Sequence, residues 1–496
     1  MSGATRSSNA ESSKTVDIAS KAFSAGKWAY VTEGVGRLAQ PIVFLIFARL
    51  LVPEDLGLVT AATIGVSFAQ VFWDSGFAKA LIQREMTPSQ LAVSTTTVFW
   101  FNAAVGLLLY GALLAGAGGI ATLFGDPRLR SLIWVQGLTI PIAALGSVPA
   151  AWLQRDLRYR PLFWARFGSS LAPGIVGLPV ALLGGGYWAL AAGALAGTVA
   201  QTGILFLLSG WKPVRTFSVT VLRKLGRFAL WSIGEGQLAW IVAWLDAVVI
   251  GLWFDSHALG LYRTSDMAVR MAFALAAGAL MPVLFAAFSR LQSDRAALDG
   301  AFVNSVKGIA LMTMPLAAVA AAAPAELSAL LLGEQWREAG EIVRFLAIMH
   351  GISWLAAPNA ELYRAAGRPD WNLKVMAGCL VFYVPALLWS VRYGLEAFLW
   401  VRLLVATAAL AVHVTVAWKV ANFPPRRFGR AVQWFVAGGV VAAASGALVR
   451  EWLPAHDLIR LAGTALVCLG VYAVVCRTEQ PFILKLLANF RRTDRS

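Results

Sequence analysis

The sequence predicts an all-α polytopic membrane protein with about fourteen transmembrane helices. Three observations predict this class. Of 496 residues, 58% are hydrophobic and only 14% are charged, against about 25% charged in an ordinary soluble domain. Apolar stretches of the roughly 20 residues needed to cross a hydrocarbon core recur along nearly the whole chain. The basic residues, finally, crowd into alternate connecting loops.

Apolar runs between breakers give the helices in order: Trp28 to Leu51, Gly57 to Phe77, Leu91 to Leu114, Leu132 to Leu153, Phe167 to Leu183, Tyr187 to Leu208 and Phe228 to Phe254. The series continues with Leu259 to Phe288, Phe302 to Ala323, Ile342 to Leu362, Leu373 to Val391, Leu395 to Val420, Ala431 to Val449 and Leu458 to Val475. Met1 to about Ser20 is polar, rich in Ser and Ala, and has no apolar segment of signal-peptide type, which predicts a disordered cytoplasmic tail. The three cysteines, Cys379, Cys468 and Cys476, fall inside apolar runs without metal-ligand spacing, so neither a disulfide nor a metal site is expected.

The net charge of +16 would suggest nucleic-acid binding in a soluble protein. Here topology accounts for it. With residues at helix ends assigned to the adjoining loop, 29 of the 42 Lys and Arg lie in the two tails and the even-to-odd loops, and 7 in the opposite loops. By the positive-inside rule both termini are then cytoplasmic. The basic segments include Arg155, Arg158, Arg160 and Arg166, then Lys212, Arg215, Arg223, Lys224 and Arg227, then Arg426, Arg427 and Arg430. No nucleic-acid partner is expected.

An internal repeat divides the chain. Leu123-Phe124-Gly125 and Arg160-Pro161 recur at an offset of 208 as Leu331-Leu332-Gly333 and Arg368-Pro369, and Trp211-Lys212 recurs at 207 as Trp418-Lys419. Because the offset spans an even number of crossings, two six-helix bundles of like orientation are expected, related by an axis along the membrane normal with a translocation path between them. The implied organisation is a tail (1–26), a first bundle (27–210), a basic cytoplasmic linker (211–227), a second bundle (228–421), two further helices (422–476) and a C-terminal tail (477–496). Phe482 to Leu487, followed by Arg491 and Arg492, has the pattern of a short helix lying on the inner leaflet.

Several local patterns carry a family likeness: Asp74-Ser75-Gly76-Phe77 with Ala80-Leu81-Ile82-Gln83-Arg84, Leu259-Gly260-Leu261-Tyr262, Pro282 with Phe288-Ser289-Arg290-Leu291-Gln292, and Leu332-Gly333-Glu334-Gln335-Trp336. In order and spacing, from about Gly26 to Val420, they resemble the polysaccharide transporter (Wzx-type oligosaccharide flippase) family of the multidrug, oligosaccharidyl-lipid and polysaccharide exporter superfamily. The resemblance implies a twelve-helix core working by alternating access in a bacterial inner membrane. It also implies, as cargo, undecaprenyl-pyrophosphate-linked sugar repeats for capsule, O-antigen or exopolysaccharide. Polysaccharide polymerases and glycosyltransferases are the partners it suggests, beside membrane lipid.

Charges inside the helices are the candidate site residues, because they are costly in lipid. Arg37 lies about 13 Å inside the first helix and Arg270 about 16 Å inside the eighth, near mid-bilayer. Their guanidinium forks suit a pyrophosphate, and structural pairing with neighbouring helices is the competing account. Arg263, Asp266 and Arg270 sit at i, i+3 and i+7 and share a face; Lys307 adds a further buried cation. Glu33 shares a face with Arg37 and would equally serve to neutralise it. Asp74 belongs to the family-like motif. Glu235 and Asp246, three turns apart on one face, join Glu33 and Asp266 as carboxylates able to take up a proton or sodium ion, with interhelical hydrogen bonding as the alternative. Trp240 and Trp244, one turn apart, offer a surface for glycan or isoprenoid. Gly34, Gly36, Gly57, Gly76, Pro41, Pro141, Pro149 and Pro282 permit close packing or bends. Of the histidines, His257, His350, His413 and His456, none shows a partner pattern.

No cofactor and no catalysis are expected. A multidrug exporter of the same superfamily is the first rival, but amphipathic cations should meet carboxylates rather than deep arginines. A membrane polymerase or ligase is the second, and it would need a larger external segment than the longest predicted external loop of about 20 residues provides. A passive assembly partner would leave the buried charges unexplained. The topology is testable: a reporter fused at Ser496 should be active only in its cytoplasmic form, and a strong periplasmic signal there would require an odd number of crossings.

Overall fold

The computed structural model describes residues 28, 34, 41–74, 76–421, 423–454 and 456–484, and at Asp74 and Ala421 it describes the backbone. Among them there is no strand. Twelve helical spans are long and apolar enough to cross a bilayer, and a bent pair, Ser256–Ala277 with Leu280–Leu291, makes a thirteenth. All thirteen overlay the second to fourteenth expected helices. The first is represented by Pro41–Leu50.

The chain forms two compact units, Met1–Gly260 and Leu261–Ser496. The first contains α1 (Pro41–Leu50), α2 (Pro53–Asp74), α3 (Phe77–Gln83), α4 (Pro88–Leu123), α5 (Arg128–Gly137), α6 (Thr139–Arg155), α7 (Tyr159–Ala172), α8 (Leu178–Leu182), α9 (Tyr187–Ser209) and α10 (Val219–Trp253). Consecutive pieces α5 and α6 make one span broken beside Leu138. Pro141 supplies the reason, since it has no N–H for the Gly137 carbonyl. Between α7 and α8 a π-helical turn, Pro173–Gly177, carries the span past α9.

Helix α10 departs from the expected organisation in two respects. The linker expected over 211–227 ends at Ser218, and the helix starts at Val219. Its first turns are amphipathic: Leu225 and Ala229 are buried while Arg223, Lys224 and Arg227 remain exposed, so the basic residues sit on a helix surface. The compact units also divide after Gly260, and α10 packs against α2, α3 and α4 of the first unit.

Side chains tie the connections of the first unit together at its two ends. At one end, Arg155 donates to the carbonyls of Leu81 and Arg84, and Arg158 donates to those of Leu208 and Ser209. These connections are the ones read as cytoplasmic. At the other end the Tyr187 N–H donates to Asp55 Oδ1 (3.1 Å), and Glu54 meets His257 Nδ1 at 2.7 Å. In the loop before α5, the Arg128 guanidinium on Asp126 (2.7 Å) holds that carboxyl below its ordinary range.

The second unit contains the rest of α11 (Ser256–Ala277), then α12 (Leu280–Leu291), α13 (Arg295–Ala322), α14 (Pro324–Leu332), α15 (Gly340–Leu355), α16 (Ala357–Ala365), α17 (Asp370–Ser390), α18 (Leu395–Ala421), α19 (Pro425–Trp452) and α20 (Asp457–Val475). Helices α11 and α12 meet at 47°. Pro282 lacks the N–H that would bond the Gly278 carbonyl, so the break falls one turn before it. The last two spans pack on α13 around Phe302, Phe435, Met314, Cys468 and Tyr472. Small residues let them approach: a Cβ at Gly446 would stand 2.4 Å from Cys468 Sγ. The helix continues from α20 through a 3₁₀ turn to Leu484, and Phe482 packs against this same core. Lys485 to Leu487 and the arginines beyond lie outside the described residues.

The start of α2 and the start of α11 touch backbone to backbone. A Cβ at Gly57 would stand 1.7 Å from the Ser256 carbonyl oxygen, and one at Gly260 1.8 Å from that of Pro53. Gly57→Val or Gly260→Val should therefore cost at least the ~1–3 kcal/mol of ordinary overpacking and lower the melting temperature of the purified protein. Gly111→Val, a site with nothing within 4 Å, should melt like the parent; equal melting of all three would refute the contact.

Candidate functional site

Helix α11 presents most of its polar residues on one side, and the expected face of Arg263, Asp266 and Arg270 is realised. The Asp266 side chain is 1% exposed. Arg270 Nη2 donates to Asp266 Oδ2, and Arg263 Nη1 lies 3.5 Å from the same oxygen. The other oxygen, Oδ1, is 3.2 Å from His350 Nε2 on α15. Phe273, one turn beyond Arg270 on α11, tilts its ring over His350 with centroids 6.0 Å apart. Near the start of the helix Arg402 of α18 stands 5.3 Å over the ring of Tyr262, which packs edge-on against Phe398.

Electrostatics follow from this count. Among the described residues, two guanidinium groups share the one Asp266 carboxylate in this cluster. Arg270 is its open member, with 48% of its side chain exposed. Desolvating a lone carboxylate costs several kcal/mol even after relaxation, and only good geometry with further hydrogen bonds offsets that penalty. Asp266 has both. It acts as an anchor that sets the direction of the two arginines.

The remaining expected site residues are dispersed. Lys307 on α13 bonds Glu479 Oε2 at 2.6 Å and lies 5.7 Å from the Phe482 ring centre, which joins α13 to the end of the last span. Asp246 is buried and accepts the N–H of Ala247 at 2.8 Å, whereas Glu235, though on the same side of α10, is exposed. The Trp240 indole N–H donates to Ser67 Oγ (2.9 Å), and its ring meets Phe68 edge-on, so α2 engages it. Trp244 is half-buried on the same helix. Asp74 ends α2, its side chain outside the described residues, as are Glu33 and Arg37 altogether.

Two participants escaped the sequence reading. His350 lies 84 positions from Asp266, and its one local signal is polarity within an apolar run. Glu326, assigned to a loop, opens the short helix α14 and is buried; its Oε1 accepts from Arg450 Nε at 2.7 Å with Arg460 Nη1 3.9 Å away. Arg337 bonds Asp457 beside it, so α14, α19 and α20 are joined by charge.

Comparison with known proteins agrees with the sequence resemblance. A family model described as polysaccharide biosynthesis protein matches residues 46–341. The succinoglycan biosynthesis transport protein ExoT of Rhizobium meliloti (strain 1021) is 26% identical over 464 residues, covering 89% of this chain and 90% of its own. The teichuronic acid biosynthesis protein TuaB of Bacillus subtilis (strain 168) is 25% identical over 384 residues, covering 76% and 78%. In fold, the chain is similar to the inward closed lipid II flippase MurJ, with a TM-score of 0.75 at 12% identity, covering 92% of this chain and 99% of that one.

Asp266→Ala should strip both arginines of their shared anion. A destabilisation on the order of 3 kcal/mol is expected for breaking a buried pair, reduced by the solvent screening that half-exposed Arg270 retains. Thermal unfolding of the detergent-solubilised protein measures it, with Asp266→Asn as the shape-conserving comparison. Melting unchanged in both would mean that the carboxylate anchors nothing.

Proposed function

This chain belongs to the polysaccharide biosynthesis protein family, and on that premise we propose that it is a flippase. Its cargo in this reading is an undecaprenyl-pyrophosphate-linked oligosaccharide, carried from the cytoplasmic to the periplasmic leaflet of a bacterial inner membrane. The relatives named for succinoglycan transport and teichuronic acid biosynthesis, and the likeness of fold to a lipid II flippase, support it. So does the absence of any need for bond-making chemistry in the act of moving a headgroup.

The observation that carries the proposal is the pair of arginines, Arg263 and Arg270, held on one buried carboxylate of α11. A pyrophosphate crossing about 30 Å of hydrocarbon needs its charge compensated on the way. Arg270 lies roughly 21 Å along the axis of α11 from its first residue, and its planar fork can donate to two phosphate oxygens at once. Asp266 holds that fork until the phosphate arrives. Once Arg270 turns to the headgroup, Asp266 retains Arg263 and His350, and a proton taken up by the Asp266–His350 pair restores the balance of charge. Alternating access is then coupled to a proton gradient through the one carboxylate that also aims the arginines. Asp266 is favoured for this role because the same carboxylate holds both arginines and His350, whereas Glu235 is exposed.

The test uses a deletion strain complemented by variants. Loss of the gene should leave lipid-linked oligosaccharide on the cytoplasmic leaflet. Arg270→Ala should insert at normal level while surface glycan falls by about tenfold or more, and Arg270→Lys should keep part of the export because an ammonium supplies charge without the fork. Asp266→Asn and His350→Gln should flatten the dependence of export on external pH. Full export by Arg270→Ala would overturn the site, and dependence on sodium in place of pH would overturn the proton coupling.

A further inference from the structure

The basic end of the first unit contains a cleft of about 410 Å³ that the transport reading does not use. Its walls come from the connection between α3 and α4, the first turns of α4 and the start of α10. Arg84 and Lys224 bring two cations to it, Ser94, Ser218 and Thr220 bring hydroxyls, and Met86, Val93, Val221 and Leu225 form an apolar side. The site is held in shape. Arg155 donates to the carbonyls of Leu81 and Arg84, which fixes the chain at Arg84. Thr87 and Gln90 close a capping box on α4, and the Ser218 N–H donates to Thr97 Oγ1 at 3.2 Å.

Two features of the lining point to a missing ligand. Ser94 is only 5% exposed and lines the cleft, where its hydroxyl can donate to a bound acceptor. Arg84 and Lys224 have no carboxylate partner among the described residues, so two cations line the cleft without a paired anion. Ser218 precedes α10 without a side-chain cap, so the positive end of a 35-residue helix also points at this region.

We propose that the cleft binds a phosphate-bearing anion, with Arg84 and Lys224 on the phosphate oxygens and the Ser94 hydroxyl donating to one of them. The apolar side beside these cations suits a lipid headgroup, whose glycerol and first methylenes would lie on Met86, Val93 and Val221. Free phosphate shares the recognition chemistry and is separated by the test. The proposal does not rest on flippase activity, since a bound headgroup would fix α10 against α4 in any transport mode.

The full chain is placed in phosphatidylcholine nanodiscs containing phosphatidylglycerol with a photoreactive acyl chain, and labelled peptides are mapped. Labelling of the peptides spanning 84–94 and 218–225 is expected. It should fall about tenfold in Arg84→Gln/Lys224→Gln and about threefold in Ser94→Ala, and remain within about twofold in Lys212→Gln/Arg215→Gln, which removes equal charge outside the cleft. Labelling that resists millimolar inorganic phosphate assigns the site to the lipid headgroup, and labelling that phosphate displaces assigns it to the free anion. Equal labelling of the parent and the Arg84→Gln/Lys224→Gln protein, or equal labelling by a photoreactive phosphatidylcholine, overturns the proposal.

Discussion

Hydrocarbon solvates neither ions nor open backbone groups, and in this protein that constraint decides which helices must touch. A charged side chain at the centre of a span costs about 2.5–3.5 kcal/mol on insertion scales, which favours burying a carboxylate beside cations, from its own helix or from another. Asp266 gathers Arg263, Arg270 and His350. Glu326 gathers Arg450 and Arg460, and Glu479 takes Lys307. The last two groups tie the thirteenth and fourteenth expected helices to the rest of the second unit, in addition to the Phe302, Phe435 and Tyr472 packing beneath them. Helices that the internal repeat leaves unaccounted for are thus integral to that unit.

The same constraint shapes the backbone. Among the described residues every crossing is helical because each N–H and C=O must be satisfied within its own segment, and the breaks that do occur have a local cause. Pro141 opens the ladder between α5 and α6, and Pro282 does so between α11 and α12. With lipid offering no hydrophobic drive between helices, close approach through small residues supplies the packing. Gly57 against Ser256 and Gly260 against Pro53 are the tightest examples. Outside these contacts the surface is broadly apolar, as Leu107, Leu183, Leu207, Phe382, Leu448 and Leu466 show by their exposure.

Within this frame Asp266 differs from Glu326 in the exposure of what it holds. Glu326 also takes two cations, but its arginines are 29% and 30% exposed, whereas Arg270 on Asp266 is 48% exposed. A purely structural pair would be expected to close upon itself. An arginine kept in reach of solvent by a buried carboxylate is instead able to exchange partners, and the proposed anionic cargo is argued from that geometry.

Fold class, the order of the second to fourteenth expected spans, and the family were legible in the sequence, because an apolar run of bilayer length has essentially one solution and the motifs from Asp74 to Trp336 keep their order. The i, i+3, i+7 face of Arg263, Asp266 and Arg270 was legible too, since helical periodicity alone brings those side chains together. Pairings between distant helices were not. Nothing near His350 marks it as the partner of Asp266, nothing near Lys307 announces Glu479 172 positions away, and Glu326 read as a loop residue until α14 formed around it. Nor does the sequence say that α10 packs with α2, α3 and α4, or that its basic first turns help to wall a cleft with Arg84 and Ser94. Local spacing fixes what one helix can present, while which faces meet is settled by the packing of the whole unit, where buried charges and small residues exclude nearly every other arrangement.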